Sequence, residues 1–322
     1  MKIVFMGSGA FGLPCLNAIL HSKHELLSVV SQLPHGAGRG RKLTPTPVSQ
    51  WAALQGVMCL ETDNANAPDA MNMIGLESPD ILVVIAFGQK ISQALIGSTP
   101  FQAINVHASV LPELRGAAPI NWAILKGHTE SGVSVITLAD RMDAGDILAT
   151  ATTPINEQET AGQLHDRLSE FSAPVLMDTL DCIEAGTAIF TPQNPDLATF
   201  AAKLKKSDGY LDFTLSASEV NLKIRGLSPW PGAQADYTPQ KTGKSLRVTL
   251  GSAKVMNKAK SASLADLAPG TLDQDLDVVC GSKALRLESI KPAGKPLMPF
   301  KAFVNGRRCQ LGDLLSMPEK SG

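Results

Sequence analysis

The first 110 residues alternate short apolar strands with helical stretches, and that alternation constrains the chain more than any other feature. Strand-like runs occupy residues 2–6, 26–31, 81–86 and 103–106, with helical stretches near 13–21, 47–55 and 68–74 between them. Such an order implies an open parallel sheet with helices on both faces. Residues 81–87 form the longest strongly apolar run, and seven residues suit a buried parallel strand rather than a membrane span. Ligands of such a sheet bind beyond the carboxyl ends of its strands.

The pattern changes downstream. Two strand-like segments, 132–138 and 147–155, precede a long helix with Leu164, Leu168, Phe171, Val175, Leu176, Leu180 and Ile183 at helical spacing. Thr160 is placed to cap its start and Gly186 to end it, while Pro174 inside it predicts a kink or a break. Residues 187–205 carry T-P-Q-N-P-D and little apolar pattern, and read as a connector. After it, short strands at 246–250, 278–280 and 284–290 are separated by turns rich in Gly, Asp and Lys, which suggests a small OB-like β-barrel. The expected architecture is α/β: a Rossmann-like open-sheet domain over 1–188, a linker over 189–205 and an OB-like β-barrel domain over 206–316.

Charge is unevenly divided. Residues 1–205 hold 12 Lys/Arg and 19 Asp/Glu, a net −7, whereas residues 206–322 hold 17 and 11, a net +6. A basic half points to a polyanionic partner, with chance variation as the plain alternative. The five cysteines are scattered without a C-x-x-C, which fits a reducing compartment and excludes a thiolate zinc site on spacing. A strand begins after a single Lys, with no signal or transit segment and no membrane span, so a cytoplasmic location is expected.

Residues 7–12, G-S-G-A-F-G, match the dinucleotide-binding fingerprint letter for letter. That reading also needs an acidic residue at the end of the second strand, about 20 residues on. No Asp or Glu occurs between Leu26 and Leu60. Arg39, Arg41 and Lys42 could serve a 2′-phosphate, which leaves NADP open. The other reading is a tight strand-to-helix turn in which Gly7 and Gly9 supply backbone freedom.

The segment I-N-V-H-A-S-V-L-P-E-L-R-G-A-A-P-I, residues 104–120, carries the strongest chemistry. Asn105 and His107 are two apart on a strand, so they project to one face at its carboxyl edge. An amide N–H and an imidazole suit an oxyanion forming on a carbonyl. Downstream, D-R-M-D-A-G-D-I-L supplies Asp140, Arg141, Asp143 and Asp146. Asp143 beside an imidazole could hold its tautomer or accept a proton from an attacking amine. A turn of solvated acids is the alternative. His107 and these acids lack the compact spacing of a metal site.

I-N-V-H-A-S-V-L-P followed by R-G-A-A-P-I, with D-A-G-D-I-L, resembles the signatures of the 10-formyltetrahydrofolate-dependent formyltransferases. The segments at 36–48, 203–213, 224–233 and 291–299 resemble the branch whose acceptor is methionine esterified to initiator tRNA, and the likeness runs over nearly the whole chain. It implies a catalytic trio of Asn105, His107 and Asp143. It implies folate contacts at Ser109, Val110, Leu111 and Pro112, with Phe87 and Gly88 in the wall of the pterin pocket. The co-substrate would be 10-formyltetrahydrofolate, with no metal, and the protein a monomer. Arg39, Arg41 and Lys42, in a glycine-hinged loop, would meet the tRNA near the site. The basic barrel would contact its phosphates, with Trp230 as a structural anchor. Three places depart from the family pattern: Phe87 stands for a Tyr, Lys90-Ile91-Ser92 stands where the family has I-L-P, and residues 32–36 read Q-L-P-H-G before the basic loop.

Overall fold

A computed structural model describes residues 1–37, 42–257 and 267–319. The chain divides into two compact units. One comprises Met1–Pro119, Glu130–Pro154 and His165–Ala201; the other comprises Ile120–Thr129, Ile155–Leu164 and Ala202–Gly322.

The first unit is built on a seven-stranded sheet. Its strands are β1 (Lys2–Gly7), β2 (Glu25–Ser31), β3 (Cys59–Glu61), β4 (Ile81–Ile85), β5 (Ala103–His107), β6 (Glu130–Thr137) and β7 (Ile147–Pro154). Their order is β7-β6-β5-β4-β1-β2-β3. The first five in sequence run parallel, and β6 and β7 add antiparallel at one edge. Crossovers pass through α1 (Leu13–Leu20), α2 (Pro47–Gln55) and α3 (Pro68–Leu76). Ile3, Val4, Phe5 and Met6 of β1 and Ile81, Leu82 and Val83 of β4 are all fully buried. Burial on both faces explains why these strands are continuous apolar runs without alternation. The strand order reverses between β1 and β4, so a crevice opens at their carboxyl ends.

The glycine-rich turn has a different cause from the conformational one expected. Gly9 sits at φ −80°, ordinary backbone for any residue. Gly7 and Gly12 are required by space: a Cβ on Gly7 would lie 2.7 Å from the Ile85 carbonyl, and one on Gly12 would lie 2.8 Å from the Phe5 ring. The amides of Ser8 and Gly9 both donate to the Ala86 carbonyl at 3.2 Å, so they are not free to hold a pyrophosphate. The end of β2, where a ribose-binding carboxylate would stand, is filled by hydroxyls: Ser31 Oγ lies 2.6 Å from Thr46 Oγ1.

α6 (Ala161–Glu184) begins as expected. Thr160 Oγ1 accepts from the Gln163 amide at 3.3 Å and Gln163 Oε1 accepts from the Thr160 amide at 3.0 Å, a reciprocal cap. It runs unbroken through Pro174. Pro174 and Glu170 are both exposed, so water can satisfy the carbonyl that Pro174 cannot.

The second unit holds a barrel. Its strands are β8 (Ala233–Thr238), β9 (Leu246–Met256), β10 (Val278–Val279), β11 (Ala284–Pro292), β12 (Met298–Pro299) and β13 (Leu314–Ser316). The order β10-β11-β9-β8-β13 is antiparallel throughout, and β12 pairs with β11. Residues 270–272 then join the two ends: Leu315 N–H donates to Gly270 O and Gly270 N–H to Val279 O, at 2.8 and 2.7 Å. A helix, Ala217–Gly226, contributes Val220 and Ile224 to a core with Tyr237, Leu250, Leu285 and Phe303. Trp230, expected as an anchor, is 56 % exposed and lies outside that core.

Gly270 closes the barrel at φ +90°, and a Cβ there would lie 2.0 Å from the Leu315 carbonyl. Gly270→Ala is therefore expected to destabilise the second unit by at least about 1–3 kcal/mol. Faster amide exchange in β8 and β13, with β1 and β4 unchanged, is the readout; uniform protection would refute it.

Candidate active site

β5 emerges between β4 and β6 and carries both strand-borne polar groups. Asn105 pairs in register with Val84 on one side and Ile136 on the other, and His107 pairs with Ser134. Asn105 is half-buried, and its amide makes no hydrogen bond to any described residue. His107 is 6 % exposed. Its Nε2 lies 3.0 Å from the Leu114 carbonyl. A carbonyl only accepts, so Nε2 carries the proton and the ring orientation is set. Nδ1 is thereby turned to Asp143, whose Oδ1 stands 3.6 Å away.

Asp143 is held by two hydrogen bonds. Its Oδ2 accepts from the Gly116 amide at 2.8 Å. Its carbonyl accepts from Gln193 Nε2 at 2.8 Å. Its backbone sits at φ +54°, a left-handed conformation that a non-glycine residue adopts only when its surroundings compel it. Of the four charged residues in that turn, Asp143 alone reaches His107. Asp140 accepts from Gln93 Nε2 at 2.9 Å, and Arg141 is exposed.

The loop 109–113 is fastened to β6 by Ser134. Its hydroxyl accepts from the Leu111 amide at 3.0 Å and donates to the Ser109 carbonyl at 2.8 Å, while Ser109 Oγ donates to Glu113 O at 2.6 Å. Ser109 and Leu111 are buried; Val110 and Pro112 are half-buried and stand beside the β5 edge. Phe87 is 2 % exposed, and its ring packs with Val4, Met6, Val84 and Leu95 in the core. The structure thus puts the Phe87 side chain inside the sheet packing and leaves the turn it belongs to, with Gly88 at φ +80°, at the crevice. Arg39 and Arg41 lie outside the described residues. Lys42 begins a short strand, Lys42–Thr44, that pairs with His35–Ala37.

Sequence reasoning missed four contributors: Ser134, Arg115, Gln193 and Thr199. Arg115 is buried and directs Nε and Nη2 at Gln193 Oε1, at 3.1 and 2.7 Å. Thr199 Oγ1 accepts from the Leu114 amide at 2.9 Å, and Phe200–Ala201 pairs with Arg115–Gly116 as a short parallel ladder. Ser134 lies in the strand-like run 132–138 and Arg115 opens R-G-A-A-P-I, but nothing in either segment singled the residue out; the two prolines around Gln193 marked its segment only as a connector.

The cysteines stand apart from this chemistry. Burial pushes the Cys15 thiol up to about 11 and the Cys280 thiol up to about 12, and it also raises Cys59 and Cys309. These four are neutral thiols at physiological pH, poor nucleophiles and poor metal ligands.

Comparison with known proteins agrees with the geometry. Residues 1–180 match the model of the formyl transferase family, and residues 203–308 match that of the formyl transferase C-terminal domain. The chain belongs to the formyl transferase family, and it is similar over nearly its whole length to several methionyl-tRNA formyltransferases. That of Symbiobacterium thermophilum is 37% identical over 319 residues, covering 99% of this chain and 96% of the relative. That of Legionella pneumophila is 35% identical over 311 residues, covering 97% of each. Among solved structures, HypX from Aquifex aeolicus in complex with tetrahydrofolic acid has a TM-score of 0.62 at 18% identity, over 94% of this chain and 47% of that one. The sugar 3N-formyl transferase WlaRD has a TM-score of 0.63 at 14% identity, over 92% and 99%. At such identities these two share the fold. No helix among the described residues is long and apolar enough to cross a membrane.

Ser134→Ala leaves the Leu111 amide buried without its acceptor and is expected to cost about 1–3 kcal/mol. A lower urea midpoint for the first unit is the readout; an unchanged one would mean that this hydroxyl does not hold the loop.

Proposed function

We propose that this enzyme transfers the formyl group of 10-formyltetrahydrofolate to the α-amino group of methionyl-initiator tRNA. The observation that carries this reading is the Asn105 amide, unpartnered among the described residues and two residues from an imidazole whose Nδ1 faces a carboxylate. An uncommitted donor beside a proton-handling pair is the equipment for acyl transfer to an amine. The same features fit the folate: Asn105 has no hydrogen-bond partner among the described residues, and Val110 and Pro112, in the loop after β5, offer partly exposed apolar surface.

The folate supplies the formyl group on N10. Asn105 donates its amide N–H to the formyl oxygen, where negative charge grows as the amine attacks. His107 is kept in one orientation by its bond to the Leu114 carbonyl and presents Nδ1 toward the reacting atoms and Asp143. Asp143, with His107, takes the proton that the amine loses and returns one to N10 as the bond to carbon breaks. One proton leaves and one is returned, so the pair ends as it began. No side chain is acylated, which leaves the buried cysteines as bystanders.

The basic C-terminal half and the loop bearing Arg39, Arg41 and Lys42 supply positive charge for the tRNA, with shape and phosphate contacts dominating over base stacking. The enzyme acts in the cytoplasm, as a monomer and without a metal.

Formyl transfer to purified methionyl-initiator tRNA tests the reading, with elongator methionyl-tRNA and a 4-amino-sugar nucleotide alongside. Formylation of the initiator alone is expected; transfer to the sugar instead would keep the trio and overturn the acceptor. Asn105→Ala and His107→Ala should each lose about 10²–10³-fold in kcat with the fold intact, since each removes a polar group at the developing charge. Turnover near wild type in either would remove that residue from the mechanism. Affinity for tRNA should fall steeply as salt rises, through counterion release; a flat response in a filter-binding titration would refute the phosphate contacts.

A further inference from the structure

We infer that Gln193 is a positioning residue for this reaction: its side-chain amide ties the loop that carries Asp143 to the loop that orients His107. The inference rests on the reading of the site given above and extends it into the connector, where sequence alone pointed to a tether.

All four hydrogen-bonding positions of the Gln193 amide are used. Nε2 donates to the carbonyls of Asp143 and Gly145 at 2.8 and 2.7 Å. Oε1 accepts both from Nε and from Nη2 of Arg115, at 3.1 and 2.7 Å. A buried guanidinium normally pairs with a carboxylate. Here its fork closes on a neutral amide oxygen, which leaves the amide's two N–H groups aimed at the Asp143 turn. Only a side-chain amide has acceptors on one end and two donors on the other at this reach, so neither Glu nor Met can replace both functions.

These bonds complete a ring. His107 Nε2 donates to Leu114 O. Leu114 leads directly to Arg115, Arg115 holds Gln193, and Gln193 holds the Asp143 backbone. Asp143 faces His107 Nδ1 at 3.6 Å. Thr199 doubles the tie, since its Oγ1 and carbonyl accept from the amides of Leu114 and Arg115 at 2.9 Å each. Two residues of the ring, Leu114 at φ +58° and Asp143 at φ +54°, hold left-handed backbone. Each such residue relaxes toward commoner conformations when its restraints go. Among the described residues outside the two loops, Gln193 is bonded to both, and it sets the separation of His107 from Asp143 together with the direct bond from the Gly116 amide to Asp143 Oδ2. The same segment runs on through Ala201 to Ala202, where the second unit resumes.

The test is a double-mutant cycle on the full-length enzyme with Gln193→Ala, Asp143→Asn and the pair. Gln193→Ala should lower kcat about 10- to 100-fold, the range of a misplaced catalytic group, with KM for both substrates within about threefold of wild type. Because Gln193 acts through Asp143, the pair should be no slower than Asp143→Asn alone. Multiplying effects, or a loss confined to KM, would overturn the inference. Gln193→Glu keeps the contact to Arg115 and should fail to rescue; rescue would show that the donors to Asp143 and Gly145 are dispensable. Imidazole ¹⁵N spectra of His107 give a readout without turnover: its signals should shift in Gln193→Ala, and an unchanged spectrum would overturn the inference. A wild-type enzyme that formylates no acceptor would instead refute the functional reading, with the spectra still deciding on Gln193.

Discussion

The hydrogen bond from His107 Nε2 to the Leu114 carbonyl is the constraint on which the site depends. It fixes which ring nitrogen carries the proton, and so which one faces Asp143. The bond exists only because the chain reverses after β5 and brings residue 114 back over residue 107. That reversal needs Ser134 beneath it, holding Leu111 and Ser109, and Thr199 beside it, holding Leu114. Groups from β5, β6 and the segment after α6 therefore converge on one imidazole. A histidine on a strand would otherwise be free to rotate and exchange tautomers.

Three of the five non-glycine residues with left-handed backbone in the first unit lie at this end of the sheet, while Ser78 and Gln102 precede β4 and β5 at the other. Ala86, Leu114 and Asp143 are non-glycine residues with φ between +48° and +58°, and they follow β4, β5 and β6 respectively. Conformations of this kind cost about 1–3 kcal/mol each. The core offsets that cost. Burying a Leu, Ile, Val or Phe contributes about 1.5–3 kcal/mol, and Ile3, Phe5, Ile81 and Leu82 are each completely buried in the sheet that carries the site. The stiff, twice-covered strands let the loops at their ends hold conformations that isolated peptides would abandon.

The glycine-rich first turn illustrates how one pattern can serve two physics. In a dinucleotide enzyme the glycines free amides for phosphate. Here Gly7 and Gly12 make room for Phe5 and Ile85, and the amides of Ser8 and Gly9 are spent on Ala86. The missing carboxylate after the second strand weakened the dinucleotide reading while leaving NADP open, and the engagement of the Ser8 and Gly9 amides by Ala86 weighs further against it.

Much of this was open to reading from residues alone. The parallel sheet declared itself through apolar runs at 3–6 and 81–85, since strands covered on both faces cannot alternate. Asn105 and His107 were legible because period 2 on a strand is local, and the start and end of α6 because capping is local. The barrel was legible only as a class. β8 and β13 went unnoticed, since their short half-buried patterns resemble loops, and the closing segment at 270–272 has no period at all. Gln193, Thr199 and Ser134 stand 27 or more residues from His107. Each is an ordinary polar residue whose role comes from where the fold returns the chain, and no spacing rule reaches across such a distance. The sequence by itself determined the long buried strands, the parallel character of their sheet and the polar residues carried at the end of β5, because those follow from periodicity and side-chain chemistry. Tertiary structure alone decided that Asp143, and not its three charged neighbours, meets His107, and that the connector completes the site, because hydrogen bonds between distant loops exist only once the sheet has brought them together.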